Sequence, residues 1–150
     1  MKLVMIIRKA TVEDVDEIAK NNICLAKETE ARIIEEHIVQ KGVKNVFLHE
    51  GNGFYLIAEE NKRIIGQIFI TIEWSDWRNQ SIWWLHRIYV QKKYRKQKVL
   101  TSLFQKVKQL AEKNDVYALR LYMMDNNESA LKIYSKLGFE HTHFLILQKK

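Results

Sequence analysis

A helical pattern of apolar residues between positions 99 and 113 constrains the fold of this chain more than any other feature. The apolar members follow a 3.6-residue period, with polar residues between them. They are Val99, Leu100, Leu103, Phe104, Val107, Leu110 and Ala111. This spacing predicts an amphipathic helix over residues 99–113, whose apolar face has to pack against another layer of structure.

Short apolar segments on both sides of this helix predict the strands of that layer. Strands are predicted over residues 3–9, 54–58, 63–74, 82–90, 118–124 and 144–147, the second and third joined as an antiparallel hairpin. Further helices are predicted after the N-cap candidate Thr11, over residues 31–40 with an end at Gly42, and over residues 127–137. The mixed order favours an α+β fold, with one mixed central sheet flanked by about four helices.

The composition favours a single domain over residues 1–150. Of the 150 residues, 47% are hydrophobic and 11% aromatic, which is enough for a substantial core. The single cysteine, Cys24, cannot form an internal disulfide, and no metal site is predicted. No apolar run approaches the roughly 20 residues needed to cross a bilayer, and the run over residues 3–7 is too short for a secretory signal. We therefore expect a soluble, cytoplasmic protein without a membrane partner.

A cluster of basic residues precedes the helix over residues 99–113. The net charge of the chain is +7. Five cations stand between the preceding strand and this helix: Lys92, Lys93, Arg95, Lys96 and Lys98. The first turn of a helix exposes unpaired amide hydrogens and the positive end of the helix dipole, so the cluster favours a phosphate-binding loop. Binding of nucleic acid is the alternative, although Tyr94 is the only aromatic residue within the run.

The segment over residues 127–139 has the features of a short capped helix. Asn126 or Asn127 can cap its start, and Gly138 stands where a left-handed residue ends a helix. Its apolar residues recur at helical spacing: Ala130, Ile133, Tyr134 and Leu137. Tyr134 therefore lies on the apolar face, where it is either a core aromatic with a solvated hydroxyl or an acid for acyl transfer.

Five positions of this segment resemble the last helical motif of the GCN5-related N-acetyltransferases (GNAT). The matching residues are Asn127, Ala130, Tyr134, Gly138 and Phe139. The basic junction resembles the family's cofactor loop, in which Gln or Arg is followed by two residues, a glycine, one residue and then Gly or Ala. Arg95 matches the first position, whereas Lys98 and Leu100 replace the two small residues. The resemblance extends over the whole chain in the order of elements and implies the GNAT fold.

The resemblance implies acetyl-CoA as the cofactor. The residues expected to bind it are Ile88, Tyr89, Val90, Arg95, Lys96, Gln97, Lys98, Val99, Leu100, Thr101 and Asn127. A side chain in place of the first glycine can block the approach of a diphosphate, or cost about 1 kcal/mol if the backbone needs a positive φ. Alternatively, the ammonium group of Lys98 or Lys96 can point outward and add a charge-assisted bond to a phosphate.

The implied reaction is direct attack of a primary amine on a thioester, with Tyr134 as the general acid. An amine with a pKa of about 10 is only about one part in a thousand neutral at pH 7, so a base must assist. His86 stands where the family's polyamine enzymes carry a glutamate and is the candidate base, directly or through a water. A histidine packed beside the tryptophans is the alternative, with Glu30 and Glu73 as substitute bases.

Within the family, residues 25–30 resemble the diamine and polyamine acetyltransferases, spermidine/spermine N-acetyltransferases included. The acceptor expected from this resemblance is a small-molecule amine, with a polyamine as one option. The candidate substrate-binding residues combine carboxylates and indoles, which suit a cationic amine: Glu28, Glu30, Glu73, Trp74, Asp76 and Trp84. Alternatively, the tryptophans are core residues or the contact of a homodimer, and the two helix glutamates are solvated charges.

Two functions without catalysis also agree with the sequence. If the replaced glycines impair cofactor binding, the chain is a binding module that keeps the GNAT fold. If the basic cluster contacts a phosphate backbone, the chain is a nucleic-acid-binding protein.

Overall fold

Within the part of the chain that the computed structural model describes, residues 4–150, five strands form one sheet. They are β1 (Ile6–Lys9), β2 (Phe54–Glu60), β3 (Arg63–Ser75), β4 (Gln80–Val90) and β5 (Ala118–Arg120). Their order in space is their order along the chain. Neighbours from β1 to β4 are antiparallel, whereas β5 is parallel to β4. The mixed central sheet predicted from the sequence is confirmed.

Four α-helices accompany this sheet within residues 4–150. They are α1 (Val15–Glu30), α2 (Glu36–Leu48), α3 (Val99–Lys113) and α4 (Glu128–Lys136). α3 is the crossover between β4 and β5, as a parallel pair of strands requires. The α+β fold is thereby confirmed. None of the helices in the described residues is long and apolar enough to cross a membrane.

The two faces of the sheet carry separate clusters of buried side chains, because successive residues of a strand point to opposite faces. The cluster that includes α3 contains Leu56, Ala58, Ile65, Ile68, Ile70, Leu85, Val99, Leu103 and Val107. The cluster that includes α1 and α2 contains Val15, Ile18, Ala19, Val43, Tyr55, Ile57 and Ile64. The central strands β2 and β3 are therefore covered on both faces, which explains their nearly continuous apolar sequence.

The start of α3 lies directly against the sheet because Gly66 of β3 has no side chain. A Cβ atom at Gly66 would lie 2.9 Å from Cγ1 of Val99 and 3.2 Å from Cδ1 of Leu103. Gly66 is paired with Val90, the last residue of β4. The close approach thus places the first turn of α3 beside the end of β4.

The second helix is longer and later than the sequence predicts. The prediction over residues 31–40 with an end at Gly42 was wrong, since α2 begins at Glu36 and continues through Gly42 to Leu48. A glycine inside a helix costs about 1 kcal/mol relative to alanine. Burial of Val43, together with Val39 and Val46 packed against the same cluster, offsets that cost.

Predicted strands also differ from the structure at both ends of the chain. The first was predicted from Leu3, which lies outside the described residues, and β1 is described from Ile6. β5 ends at Arg120 rather than at residue 124, because its pairing with β4 stops there. Residues 144–147 alternate as a strand should, but within residues 4–150 they join no sheet, so this prediction was wrong.

Candidate active site

A cleft opens where β4 and β5 separate. Their pairing covers only Ile82 with Ala118, Trp83 with Leu119 and Trp84 with Arg120, although β4 continues to Val90. The open cavity beyond this point has a volume of about 510 Å³. It is lined by β4, by residues 122–124, by α1, α2 and by α4. Among the residues predicted for the site, it contains Tyr134, His86, Ile88, Asn127 and Glu30.

A β-bulge in β4 shapes one wall of this cleft. Gln67 is paired with Tyr89, and Phe69 with His86, so the single residue Ile68 faces both Arg87 and Ile88. Arg87 has a left-handed backbone with φ of 49°. A bulge bends its strand and leaves one residue out of the hydrogen-bond ladder. Main-chain groups of β4 at Arg87 and Ile88 therefore border the cleft.

Tyr134 projects from α4 toward the cleft. The cap of α4 is the side chain of Asn127, whose Oδ1 accepts a hydrogen bond of 3.1 Å from the amide of Ala130. The ring of Tyr134 packs against Phe104 and Phe139, at centroid distances of 6.3 and 6.1 Å. Burial raises the pKa of Tyr134 above its usual value of 10.0. The phenol is consequently protonated at neutral pH and is a hydrogen donor.

The hydroxyl of Tyr134 is accessible from the cleft. Within residues 4–150, every buried side-chain nitrogen or oxygen has a hydrogen-bond partner. The hydroxyl oxygen of Tyr134 takes part in no hydrogen bond with these residues, so it is not a buried atom. Tyr134 is therefore a packed aromatic with a solvated hydroxyl, the first alternative of the sequence analysis, and this leaves its hydroxyl free to act as an acid.

His86 lies half-buried on the opposite wall. Its Nε2 is 2.8 Å from Oγ1 of Thr71, and its ring lies between Phe69 and Tyr122 at centroid distances of 5.7 and 5.6 Å. Burial and the nearby charge of Arg87 lower the pKa of His86 below 6.5. The imidazole is neutral at pH 7. In the tautomer whose Nε2 donates its hydrogen to Oγ1 of Thr71, Nδ1 is the nitrogen left to accept a proton.

The junction between β4 and α3, residues 91–98, is called the basic loop here. It contains two residues with left-handed backbone, Lys96 with φ of 61° and Lys98 with φ of 65°. Lys98 immediately precedes α3, so the amides of Val99, Leu100 and Thr101 begin the helix without acceptors inside it. The side chains of Val99 and Leu100 pack against the core.

The left-handed backbone at Lys98 answers one question that the sequence leaves open. A positive φ is required there, and lysine adopts it at a cost of about 1 kcal/mol. Leu100, the other substitution, packs partly buried against the core, away from the main-chain amides. With both side chains in place, the chain has the strand, turn and helix geometry that an anion site needs.

Arg95 and Glu28 connect the basic loop to α1. Nη2 of Arg95 donates to Oε2 of Glu28 at 2.5 Å, and Nε of Arg95 donates to the carbonyl of Val90 at 2.8 Å. The hydroxyl of Tyr89 donates to the other oxygen of Glu28 at 3.0 Å. Burial opposes ionisation of Glu28, but the hydrogen bonds from Arg95 and Tyr89 prevail and lower its pKa. Glu28, which was predicted to bind substrate, thus forms hydrogen bonds with Arg95 of the basic loop and Tyr89 of β4.

Four of the predicted substrate residues lie outside the cleft lining: Glu73, Trp74, Asp76 and Trp84. Nε1 of Trp84 donates to Oε1 of Glu73 at 3.2 Å, and Oε2 of Glu73 is 3.9 Å from Arg120. Trp74 is exposed near the end of β3, and Asp76 lies in the following turn. The structure brings Glu30 together with His86 and Tyr134, but it does not bring Glu73, Trp74, Asp76 or Trp84 there.

A buried chain of side-chain amides behind the cleft was missed from the sequence. Asn21 donates to Gln67 at 3.0 Å, Gln67 donates to Asn22 at 2.7 Å, and Asn22 donates to the hydroxyl of Tyr55 at 3.1 Å. Gln91 donates to Asn21 at 3.3 Å. Asn22 and Tyr55 line the cleft. A glutamine inside the apolar run of β3 was the available signal, because a buried amide must have partners.

Comparisons with known proteins agree with this arrangement. The family model described as Acetyltransferase (GNAT) family matches residues 20–139. A possible acetyltransferase from Clostridium difficile 630 is 34% identical over 98% of this chain and 97% of its own, with a TM-score of 0.92. A predicted acetyltransferase with acetyl-CoA from Clostridium acetobutylicum has the same fold, at 19% identity over 97% and 96% of the two chains and a TM-score of 0.76. No curated protein matches this chain. The chain is a member of the GNAT family of acetyltransferases.

Proposed function

We propose that this protein transfers an acetyl group from acetyl-CoA to a primary amine of a small molecule. The observation that carries the proposal is the presence of a protonated tyrosine, Tyr134, and a neutral histidine, His86, on one cleft bordered by the bulge of β4. One group can release a proton and the other can accept one at neutral pH. Because the chain belongs to an acetyltransferase family, we infer that the reaction served by this acid and this base is acetyl transfer.

The cofactor side of the proposal rests on the basic loop. The amides of Lys98, Val99, Leu100 and Thr101 form the start of α3, where an anion is favoured by the unpaired donors and by the helix dipole. Lys96, Gln97 and Arg95 complete the loop, and the ammonium groups of Lys96 and Lys98 add charge for a diphosphate. Ile88, Tyr89 and Val90 would hold the thioester end along the edge of β4 that β5 leaves uncovered, and Asn127 borders the same space.

The acid and the base have separate roles. Acetyl-CoA, when bound, supplies an activated acetyl thioester. His86 accepts a proton from the acceptor ammonium at Nδ1, directly or through a water, and so provides the neutral amine that forms the new N–C bond. Tyr134 would donate its hydroxyl proton to the sulfur as the C–S bond breaks, and the second proton that the attacking nitrogen loses would pass to solvent, from which the phenolate is reprotonated. Main-chain amides near the bulge stabilise the charge that develops on the carbonyl oxygen.

The charged side chains that line the cleft indicate which kind of acceptor amine it favours. Among its lining residues that the structure describes, Glu30 is the only carboxylate, whereas Arg32 and Arg87 are cations. Oε2 of Glu30 is 3.8 Å from Nη1 of Arg32, so part of its charge is already compensated. This balance favours an amine that also carries an anionic group. A polyamine, which residues 25–30 suggest by resemblance, is the second candidate acceptor.

The proposal is tested by measuring thiol release from acetyl-CoA with a panel of amines. The panel pairs each primary amine that carries a carboxylate with the corresponding amide, and it includes polyamines. Release with at least one amine, dependent on Tyr134, supports the proposal. Absence of release with every amine, together with absence of acetyl-CoA binding in calorimetry, contradicts it and leaves the fold without the catalytic function.

A further inference from the structure

Arg87 is a cation on the cleft that no carboxylate of the described chain neutralises. Within residues 4–150 its guanidinium takes part in no ion pair. The other guanidinium that lines the cleft, that of Arg32, already lies 3.8 Å from Oε2 of Glu30. A guanidinium that has no partner of its own and borders a cleft is suited to an anionic group of a ligand, because its planar donors match a carboxylate.

The backbone holds Arg87 at this place in a strained conformation. Its φ of 49° is in the left-handed region, which is uncommon for a residue other than glycine or asparagine. Arg87 and Ile88 are the two residues of the β4 bulge that face the single residue Ile68. The side chain of Arg87 lines the same cleft as that of the preceding residue, His86, although successive residues of a regular strand point to opposite faces. Strained residues of this kind are concentrated at ligand sites.

Three side-chain rings stand in a row across the sheet on this side of the cleft. Tyr55 of β2 is paired with Phe69 of β3, and Phe69 is paired with His86 of β4. The ring of Phe69 lies 4.7 Å from that of Tyr55 and 5.7 Å from that of His86, measured between centroids. Two strand spacings separate the main chains of Tyr55 and His86 by roughly 10 Å. A molecule with a few carbon atoms can therefore contact both ends of the row.

The hydroxyl of Tyr55 supplies a hydrogen-bond donor at one end of this row. Its oxygen accepts a hydrogen bond of 3.1 Å from Nδ2 of Asn22, and no residue in the described part of the chain accepts its hydrogen. Burial raises the pKa of Tyr55, so the phenol is protonated, and the nearby charge of Arg87 opposes this shift. The same charge lowers the pKa of His86. The guanidinium of Arg87 thus lies near both ends of the row.

We propose that the acceptor is a small amino acid whose carboxylate is held by Arg87 and the hydroxyl of Tyr55, while its amine faces His86. This inference rests on the proposed acetyl transfer and names the class of acceptor that the same cleft takes. A carboxylate has two oxygens, so it can accept from a guanidinium and a phenol at once. Arg87 is then a residue that determines specificity, in addition to its effect on the base.

The test compares acceptors that differ only in the anionic group, by thiol release from acetyl-CoA. The standard α-amino acids, β-alanine and γ-aminobutyrate are each paired with the corresponding primary amide, and a polyamine is included. The best acid should have a kcat/KM roughly tenfold or more above that of its amide. The rates are measured well above pH 6.5, where His86 is neutral, so that the effect of Arg87 on the base does not enter.

The variants are compared by the ratio of kcat/KM for the acid to that for its amide, which cancels the different basicity of the two amines. Arg87→Gln should lower this ratio roughly tenfold or more, since a charge-assisted contact is lost. Tyr55→Phe keeps the ring that stacks on Phe69 and should lower the ratio severalfold. Arg63→Gln makes the same change of charge outside the cleft lining and should keep the wild-type ratio. Circular dichroism spectra of all three variants should match the wild type.

Three results would overturn the inference and leave acetyl transfer intact. They are equal rates for acids and amides, a polyamine as the best acceptor, and a ratio that Arg87→Gln does not change. In the last case, loss of the ratio in Arg32→Gln would assign the carboxylate to Arg32. Absence of thiol release with every amine is a different result, because it contradicts the proposed function itself, and the inference then fails with it.

Discussion

Glu28 of α1 accepts a hydrogen bond of 2.5 Å from Arg95 and so ties the first long helix to the basic loop. Arg95 is held on its other side by the carbonyl of Val90, the last residue of β4. The loop that precedes α3 is thus fixed from two elements before any ligand arrives. The guanidinium of Arg95 serves as a brace for the loop, whereas under the proposed function the ammonium groups of Lys96 and Lys98 would contact a phosphate.

The ion pair between Arg95 and Glu28 predicts how Glu28→Gln affects cofactor binding. A neutral amide cannot pair with the guanidinium, and partly exposed ion pairs are worth up to about 1 kcal/mol. We expect the KM for acetyl-CoA to rise by up to about fivefold, with kcat little changed. Steady-state kinetics with acetyl-CoA as the varied substrate measures this. Glu30→Gln is the matched control, since Glu30 lines the cleft without contacting Arg95. A fall in kcat alone would contradict the brace.

Tyr134→Phe separates the hydroxyl of this residue from its ring. The phenylalanine ring can keep the contacts with Phe104 and Phe139, so the melting temperature and the affinity for acetyl-CoA should stay near wild type. Loss of the proton donor should lower kcat by roughly a hundredfold. Tyr117→Phe, at a tyrosine outside the cleft lining, is the control. Full activity of Tyr134→Phe would exclude the hydroxyl as the acid.

The low pKa of His86 predicts a pH dependence with a definite sign. A base acts when deprotonated, so kcat/KM should rise as the pH increases through the pKa of His86, which burial and Arg87 hold below 6.5. That rise should disappear in His86→Gln. In Arg87→Gln the midpoint should move upward, because one cause of the low pKa is removed. An unchanged midpoint in Arg87→Gln, or an unchanged profile in His86→Gln, would assign the base elsewhere.

Lys98→Gly and Lys98→Ala together separate backbone strain from charge. Both lose the ammonium group, but only glycine adopts the left-handed backbone of this position without strain. The glycine variant should be more stable than the alanine variant by about 1 kcal/mol in urea unfolding. Both should bind acetyl-CoA more weakly than wild type in calorimetry, since a phosphate contact is lost. Tighter binding by Lys98→Gly would mean that the side chain obstructs the diphosphate.

Two glycines should respond to alanine in opposite directions. Gly66→Ala places a Cβ 2.9 Å from Val99, and overpacking of this kind costs about 1–3 kcal/mol. Gly42→Ala meets no atom within 4 Å inside α2 and should stabilise the protein by about 1 kcal/mol. The free energy of unfolding in urea measures both. Equal effects of the two substitutions would contradict the packing of α3 against β3.

Periodic elements could be predicted from the sequence because burial leaves a pattern there. The one-sided pattern of α3 and the continuous apolar run of β3 each follow from the layers that cover them. The end of α2 could not be found, because the stop suggested by Gly42 is a local signal and the packing of Val43 overrides it. The strand predicted over residues 144–147 had the right alternation but no partner within its own described chain.

Some residues of the candidate site carry a local signal in the sequence, but the way in which they are assembled does not. Tyr134 and the basic loop have local motifs, and the structure places each of them at a helix terminus. The bulge at Arg87 leaves no trace in the sequence, since an arginine there has the positive φ expected of glycine or asparagine.

The buried amides behind the cleft are arranged head to tail. Each uses its nitrogen toward the next oxygen, from Gln91 through Asn21, Gln67 and Asn22 to the phenol of Tyr55. Since the Tyr55 oxygen already receives hydrogen from Asn22, its own hydrogen must be directed to another acceptor, and this side chain lines the cleft. Burial keeps that phenol un-ionised by raising its pKa. Under the proposed function, the series thus makes the Tyr55 hydroxyl a donor toward the acceptor molecule, with its direction set by side chains of α1 and β3 on the same face of the sheet.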